Sequence, residues 1–314
     1  MGFYTAYGLV IESSLAMPEL AEAIDDAPAY RFYITRSLDD AAPGYDWFLR
    51  LCEEDDEISF LCGKRGKDFL LRYPRLADFE INAEDRDILC RAKPETSFDT
   101  VRHLLLDHVL PFLLSEGNRL VLHGSGILID GGAVVFLGES GRGKSTLSAS
   151  FCGERMPLLS DDNVLIEMAN GRFDCVPSYP GLRLWPEAVS TMIADSINTS
   201  LVAHYSTKRR IRTGNNQLPF AADRVPLNRL YVLEESNDLD DKIEINKLPP
   251  QKAFFTISDH AYRLDIKERN LLKDQFHFVS SLVKSFPVYS LTFPRDFSLL
   301  PVVRQTILDH LSEA

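Results

Sequence analysis

The sequence predicts an α/β phosphate-loop domain over residues 96–314, preceded by a β-rich, α+β amino-terminal domain over residues 1–95. Three observations predict it. Before Pro94 the apolar residues fall in short β-branched and aromatic runs. From Ser97 their spacing becomes helical, and two strand-like runs then lead into a glycine-rich loop ending in Gly-Lys-Ser.

In the first part, YGLVIES, YRFYITRS, EISFLCG, DFLLRY and DILCRA read as strands separated by polar or turn-forming breaks. SFDTVRHLLLDHVLPFLLSEG reads as a helix capped by Ser97 and stopped by Gly117. ILI and AVVFL flank Asp130, Gly131 and Gly132, a hairpin signal. The loop Gly138 to Thr146 follows, and LSASF begins a helix. MPLLSDDNVLI reads as an apolar strand ending in Asp161 and Asp162, where a parallel α/β sheet presents groups to its ligand edge. NLLKDQFHFVSSLVKSF and SLLPVVRQTILDHLSE read as amphipathic helices around VYSLTF, suited to core packing or oligomer contacts. No fixed-period repeat or low-complexity tract is present.

Composition narrows the class. At 314 residues, 45% hydrophobic and 25% charged, the chain has material for a large folded domain or two smaller ones. A net charge of −12 argues against nucleic acid and anionic membrane as partners, because both attract basic surfaces. The amino terminus lacks the basic and apolar blocks of a secretory signal, Ala6 departs from a myristoylation signal, and no apolar run is long enough to span a bilayer. A cytoplasmic location is expected. The five cysteines are scattered and never form metal-binding or redox pairs, so reduced and mostly buried thiols are expected.

The run Gly138-Glu139-Ser140-Gly141-Arg142-Gly143-Lys144-Ser145-Thr146 fits the phosphate-loop pattern in its strand, loop, helix context. Its glycines let backbone approach phosphate oxygens, and the following helix terminus favours negative charge. Lys144 is expected to reach the β and γ phosphates, Ser145 to offer its hydroxyl to Mg2+, and Thr146 to help begin the helix. A dinucleotide fold is disfavoured, because Gly141 and Gly143 lack the third spaced glycine. ATP is the expected donor. The loop encodes no base, so GTP and pyrophosphate stay open. Of Asp161 and Asp162, one is suited to hold magnesium and the other to accept a proton, the alternative being a plain turn. Lys208, Arg209, Arg210 and Arg212 form a basic cluster, from which Arg210 is taken as a catalytic candidate, against the alternative of a solvated loop. Tyr179 and Trp185 suit either an acceptor groove or packing.

His123 in LHGSG, the loop at Gly138 to Ser145 and the aspartates in SDDNVLI occur in that order. Fifteen positions separate His123 from Gly138, and seventeen separate Lys144 from Asp161. This combination resembles the catalytic domain of the HPr kinase/phosphorylase family, P-loop kinases related to phosphoenolpyruvate carboxykinase. The resemblance runs from Leu120 to the carboxyl terminus, firmly to about Pro186. It implies that fold for the second domain, Asp161 as the base, and His123 close enough to influence its charge, which leaves Asp162 for magnesium beside Ser145. The bifunctional members carry a Glu-x-Arg-Gly-Leu-Gly signature, whereas this chain has Ser178-Tyr179-Pro180-Gly181-Leu182-Arg183, so the resemblance does not extend to phosphorolysis. YPGLRLWPEA and YGLVIESSLAMPEL look like the HPr-kinase-related proteins of peptide-modification clusters, including kinases of lasso-peptide precursors. This implies phosphoryl transfer to a serine of a peptide or protein. Two other readings remain, a small-metabolite hydroxyl kinase and a nucleotide-binding regulatory protein with weak hydrolysis, and a homo-oligomer stays open.

Overall fold

The computed structural model describes residues 1–24, 27–36, 44–53, 56–236, 242–265 and 268–313. The amino-terminal strands are β1 (Gly2–Ala6), β2 (Leu9–Ser13), β3 (Ala21–Glu22), β4 (Tyr30–Arg36), β5 (Asp46–Cys52), β6 (Ile58–Arg65), β7 (Asp68–Tyr73), β8 (Ala77–Asn82) and β9 (Asp87–Ala92). They form a sheet in the order β3-β1-β2-β4-β9-β8-β7-β6-β5. β4 runs parallel to both β2 and β9, and the other pairings are antiparallel. The five expected runs lie in β2, β4, β6, β7 and β9, with Ser37 at the end of YRFYITRS outside the described residues. β8 lies outside those five runs, although in ADFEIN the buried Ala77, Phe79 and Ile81 alternate with polar residues at the period of a half-buried strand.

The helical segment from Ser97 packs on this sheet. It consists of α1 (Phe98–Leu104), a π-helical turn (Leu105–Val109) and α2 (Leu110–Glu116). Ser97 caps it by accepting from the Thr100 amide. Pro111 supplies a reason for the irregular turn, because it has no N–H to donate back to Asp107. The carbonyls of Leu106, Asp107 and His108 instead accept from Tyr7 Oη (3.1 Å), Asn163 Nδ2 (3.1 Å) and Tyr262 Oη (3.0 Å). Gly117 ends the helix, but the left-handed residue there is Asn118, at φ 61°. Val101, Leu105, Val109 and Phe112 share one core with Phe32, Leu71 and Phe79 of the sheet, so a helix expected at the start of the second domain buries its apolar face in the first.

The second part contains β10 (Leu120–Ile129), β11 (Gly132–Leu137), α3 (Lys144–Gly153), β12 (Leu158–Ser160), β13 (Asn163–Ala169), β14 (Arg172–Val176), β15 (Gly181–Leu184), α4 (Pro186–Met192), β16 (Thr199–Leu201), β17 (Arg209–Arg212), β18 (Val225–Leu233), β19 (Glu244–Lys247), α5 (Pro250–Asp259), α6 (Arg269–Ser285), β20 (Val288–Thr292) and α7 (Leu300–Ser312). Asp130 and Gly131, at φ 49° and 78°, make a two-residue hairpin turn, and Gly132 already belongs to β11. β11 pairs with β10 and runs parallel to β18. β18 returns through β14 and β13 to β10, so the pairing closes on itself. The strand before the aspartates differs from expectation: β12 runs antiparallel to β10, making this a mixed sheet rather than a parallel one.

β11 is buried on both faces. Val134 and Phe136 pack with Leu147 and Phe151 of α3 and Val303 of α7, while Val135 and Leu137 face the cluster that holds Ala253 and Ile257 of α5 and Leu282 of α6. The two carboxyl-terminal helices appear where expected around β20, and β15, β16 and β17 form a separate small sheet, in which the basic cluster lies on β17 and the residue just before it. Cys52 is exposed and the other four cysteines are buried. Among the described residues no helix is long and apolar enough to cross a membrane.

Phe112 is fully buried, with its ring edge-to-face against Phe69 at 5.0 Å. Phe112→Ala is expected to cost about 3–5 kcal/mol of stability through lost transfer energy and the cavity left behind. Urea denaturation measures it, and a loss below about 1 kcal/mol would show that the helix contributes little to this core.

Candidate functional site

The glycine-rich loop leaves the buried end of β11 and enters α3. Gly138 has φ 146°, and a Cβ there would stand 2.9 Å from the Leu233 carbonyl oxygen, so the close pass of the loop over β18 requires glycine. Gly141 and Gly143 are left-handed, at φ 81° and 89°, with open space where a Cβ would be. Lys144 is buried, and its Nζ donates to the carbonyls of Gly138 (2.6 Å) and Glu139 (2.9 Å), which curls the loop around the ammonium. Burial pulls the Lys144 pKa below its ordinary value, against the opposing pull of Asp162 and Asp161. Ser140, Gly141, Gly143, Ser145 and Thr146 line a cavity of about 80 Å³ together with Lys144. Arg142 turns outward to Glu235 (2.7 Å) and Glu139 (3.1 Å).

The facing wall carries the two aspartates, which the backbone sends apart. After β12 the chain bends, and Asp162 takes a left-handed φ of 75°, a conformation that costs energy outside glycine and is tolerated best by Asp and Asn. Asp161 is buried; its Oδ1 accepts from Ser145 Oγ (2.7 Å) and its Oδ2 from the Arg183 amide (2.8 Å). Asp162 keeps a side chain 31% exposed at the cavity, with Oδ1 3.7 Å from His123 Nδ1 and Oδ2 3.4 Å from Arg183 Nη1. Burial alone would raise the Asp162 pKa, but the Arg183 guanidinium leads a set of charges that holds it below the ordinary value.

His123 was expected beside Asp161 and lies instead against Asp162. The cause is register: His123 pairs with Asn163 across β10 and β13, which puts its ring next to residue 162, and Nδ1 hydrogen-bonds the Asp162 carbonyl at 3.0 Å. Burial lowers the His123 pKa, favouring the neutral ring, although Asp162 pulls the other way.

Arg183 is the residue that the sequence reading passed over. Its strand, β15, carries it into the site only 4% exposed. Nη2 donates to the Asp161 carbonyl and Nη1 pairs with Asp107. Asp107 also accepts from Tyr179 Oη (2.6 Å) and meets His103 Nδ1 (2.7 Å). Burial opposes ionisation of Asp107, yet Arg183 and then His103 hold its carboxyl far below the usual carboxylate range. Tyr179 is thereby a packing residue, whereas Trp185, 52% exposed, borders the loop cavity. The only local signal for Arg183 was a basic residue in an apolar Gly-Leu-Arg-Leu strand.

Arg210, taken from the sequence as a catalytic candidate, is placed away from the loop cavity. It sits opposite Arg183 in the β15–β17 register, but its guanidinium pairs with buried Glu19, which also holds Arg102 at 2.7 Å. The basic residue of that cluster at the loop cavity is Lys208, whose Nζ lies 5.1 Å from the centre of the Trp185 ring.

Magnesium prefers one or two carboxylate or hydroxyl oxygens and fills its other positions with phosphate and water. The hydrogen-bonded Ser145 Oγ and Asp161 Oδ1, beside Lys144, fit that requirement. Among the described residues no group of three or more His, Cys, Asp or Glu side chains forms a closed metal cage.

No protein-family model matches the sequence, and no curated protein matches it. Among solved structures, the HPr(Ser) kinase/phosphatase from Coxiella burnetii aligns with 62% of this chain and 97% of its own length, at 12% identity and a TM-score of 0.33.

Proposed function

We propose that this chain is a phosphotransferase that moves the γ-phosphoryl group of ATP to a hydroxyl, the acceptor being a serine of a peptide or protein. The observation that carries the proposal is the opposition, across one small cavity, of a glycine loop wrapped on Lys144 and a partly exposed Asp162 flanked by His123 and Arg183.

In this reading Lys144 exchanges its two loop carbonyls for the β and γ phosphate oxygens, and Ser145 and Asp161 are the residues that would hold Mg2+. The ion, when bound, would neutralise phosphate charge. Asp162 takes the proton of the acceptor hydroxyl as its oxygen bonds to the γ phosphorus and the bond to the β-phosphate oxygen breaks, leaving ADP. Arg183 holds the Asp162 pKa below its ordinary value, so that the carboxylate can accept the proton, and Arg183 and Lys208 stand on the side where charge accumulates. The roles of the aspartates are thus the reverse of those the sequence resemblance implied. The carboxylate bonded to Ser145 is already committed to the loop, and the one free to meet an acceptor is Asp162. The loop contacts phosphates alone, so GTP or pyrophosphate would engage it through the same atoms.

Lys144→Ala is expected to reduce transfer from labelled ATP to acceptors in a cell extract by at least ~100-fold, since a charge aimed at the transferring group contributes several kcal/mol in the transition state. Near-normal transfer by the folded variant would reject the assignment of the loop.

The aspartates separate by a different measurement. Asp162→Asn should lower single-turnover transfer by about 100- to 10,000-fold with a smaller change in nucleotide affinity, because it removes the proton acceptor alone. Asp161→Asn should instead raise the magnesium concentration needed for half-maximal transfer. If the turnover-only defect appears in Asp161→Asn, the roles revert to the order that the sequence implied.

A further inference from the structure

A second, larger cavity, of about 820 Å³, opens between the amino-terminal sheet and the segments around residues 204 and 262. We infer that it anchors the acceptor peptide by receiving a large apolar side chain, an inference that rests on the phosphotransferase reading above.

Size comes first. The 80 Å³ cavity at the loop has room for phosphate groups and leaves little contact for recognising an acceptor, whereas 820 Å³ is the size of a pocket for a drug-sized group, about 300–1,000 Å³. Its wall is chiefly apolar and aromatic, with Phe60, Leu76 and Leu104 on the sheet and helix side. His108 joins that wall as a neutral ring, because burial pushes its pKa down to about 4.

The second observation is a polar group left waiting. Tyr73 lines the cavity, is only 7% exposed, and its hydroxyl has no hydrogen-bond partner among the described residues. A buried hydroxyl without a partner carries a free-energy penalty, which a ligand carbonyl would relieve once the ring turns toward the cavity. An apolar side chain followed by a peptide carbonyl meets both requirements; a purely hydrocarbon ligand meets one.

The third is continuity with the site. His204 and Tyr205 border the large cavity and Lys208 the small one, all on one stretch of chain. Three residues span at most about 11 Å, so the two openings are neighbours. That stretch is fixed to the helix by Thr100 Oγ1, which lies 2.9 Å from His204 Nδ1 and accepts from the His204 amide at 3.1 Å. A peptide anchored in the large cavity would therefore bring a serine a few residues away to Asp162.

The test uses the full chain and two synthetic peptides, one with about four glycines between a serine and a tryptophan, matching that reach, and one with glycine in place of the tryptophan. The tryptophan peptide should bind at least ~10-fold tighter by fluorescence anisotropy and show the advantage in KM rather than kcat. Ser59→Trp, which places a ring in the cavity mouth, should abolish the difference, and Tyr73→Phe should weaken the tryptophan peptide by about 3- to 10-fold. Circular dichroism and thermal midpoints verify that both variants fold. Equal binding of the two peptides, or no binding of either, would overturn the inference, as would a preference that survives in Ser59→Trp. Tryptophan-dependent binding without phosphorylation would uphold the cavity and reject the phosphotransferase reading. Equal phosphorylation of both peptides would do the opposite.

Discussion

Arg183 is the interaction on which the site depends. One buried guanidinium meets Asp107, the Asp161 carbonyl and the Asp162 carboxylate, and its own amide holds the Asp161 side chain. Removing one partner from such a buried set costs about 3–5 kcal/mol, because the remaining charge is left uncompensated. An exposed pair such as Arg31 with Asp87 contributes far less, because solvent screens it. The Arg183 guanidinium at the centre of this set, acting against burial, holds the Asp162 pKa below its ordinary value at the mouth of the cavity.

That set also joins the two parts of the chain. Asp107 lies in the π-helical turn of the segment packed on the amino-terminal sheet, and its backbone carbonyl accepts from Asn163, the residue after Asp162. Tyr7 from the turn after β1 and Tyr262 from the segment after α5 bind the neighbouring carbonyls of the turn. The irregular turn frees carbonyls that a regular helix would have used, and the Asp107 carbonyl among them holds the first residue of the strand after the aspartates. On this account the amino-terminal domain is part of the support of the site, and the large cavity at its junction lies close to the chemistry for the same reason.

The sequence by itself determined the local features. The Gly138 to Ser145 spacing, the Asp130-Gly131 turn, the Ser97 cap and the helical period after it are written in neighbouring residues, because each rests on interactions within a few positions. The pair Asp161-Asp162 was equally visible as a candidate. What the two carboxylates face was decided only by tertiary structure. A left-handed φ at Asp162 and the His123–Asn163 register set which acid meets Ser145 and which meets His123, and neither is encoded by spacing along the chain. Arg183 and Arg210 make the same point. Both are basic residues on adjacent strands, and one enters the site while the other is taken by Glu19, almost two hundred positions away in sequence, because the destination of a long charged side chain depends on which buried carboxylate the fold brings to it.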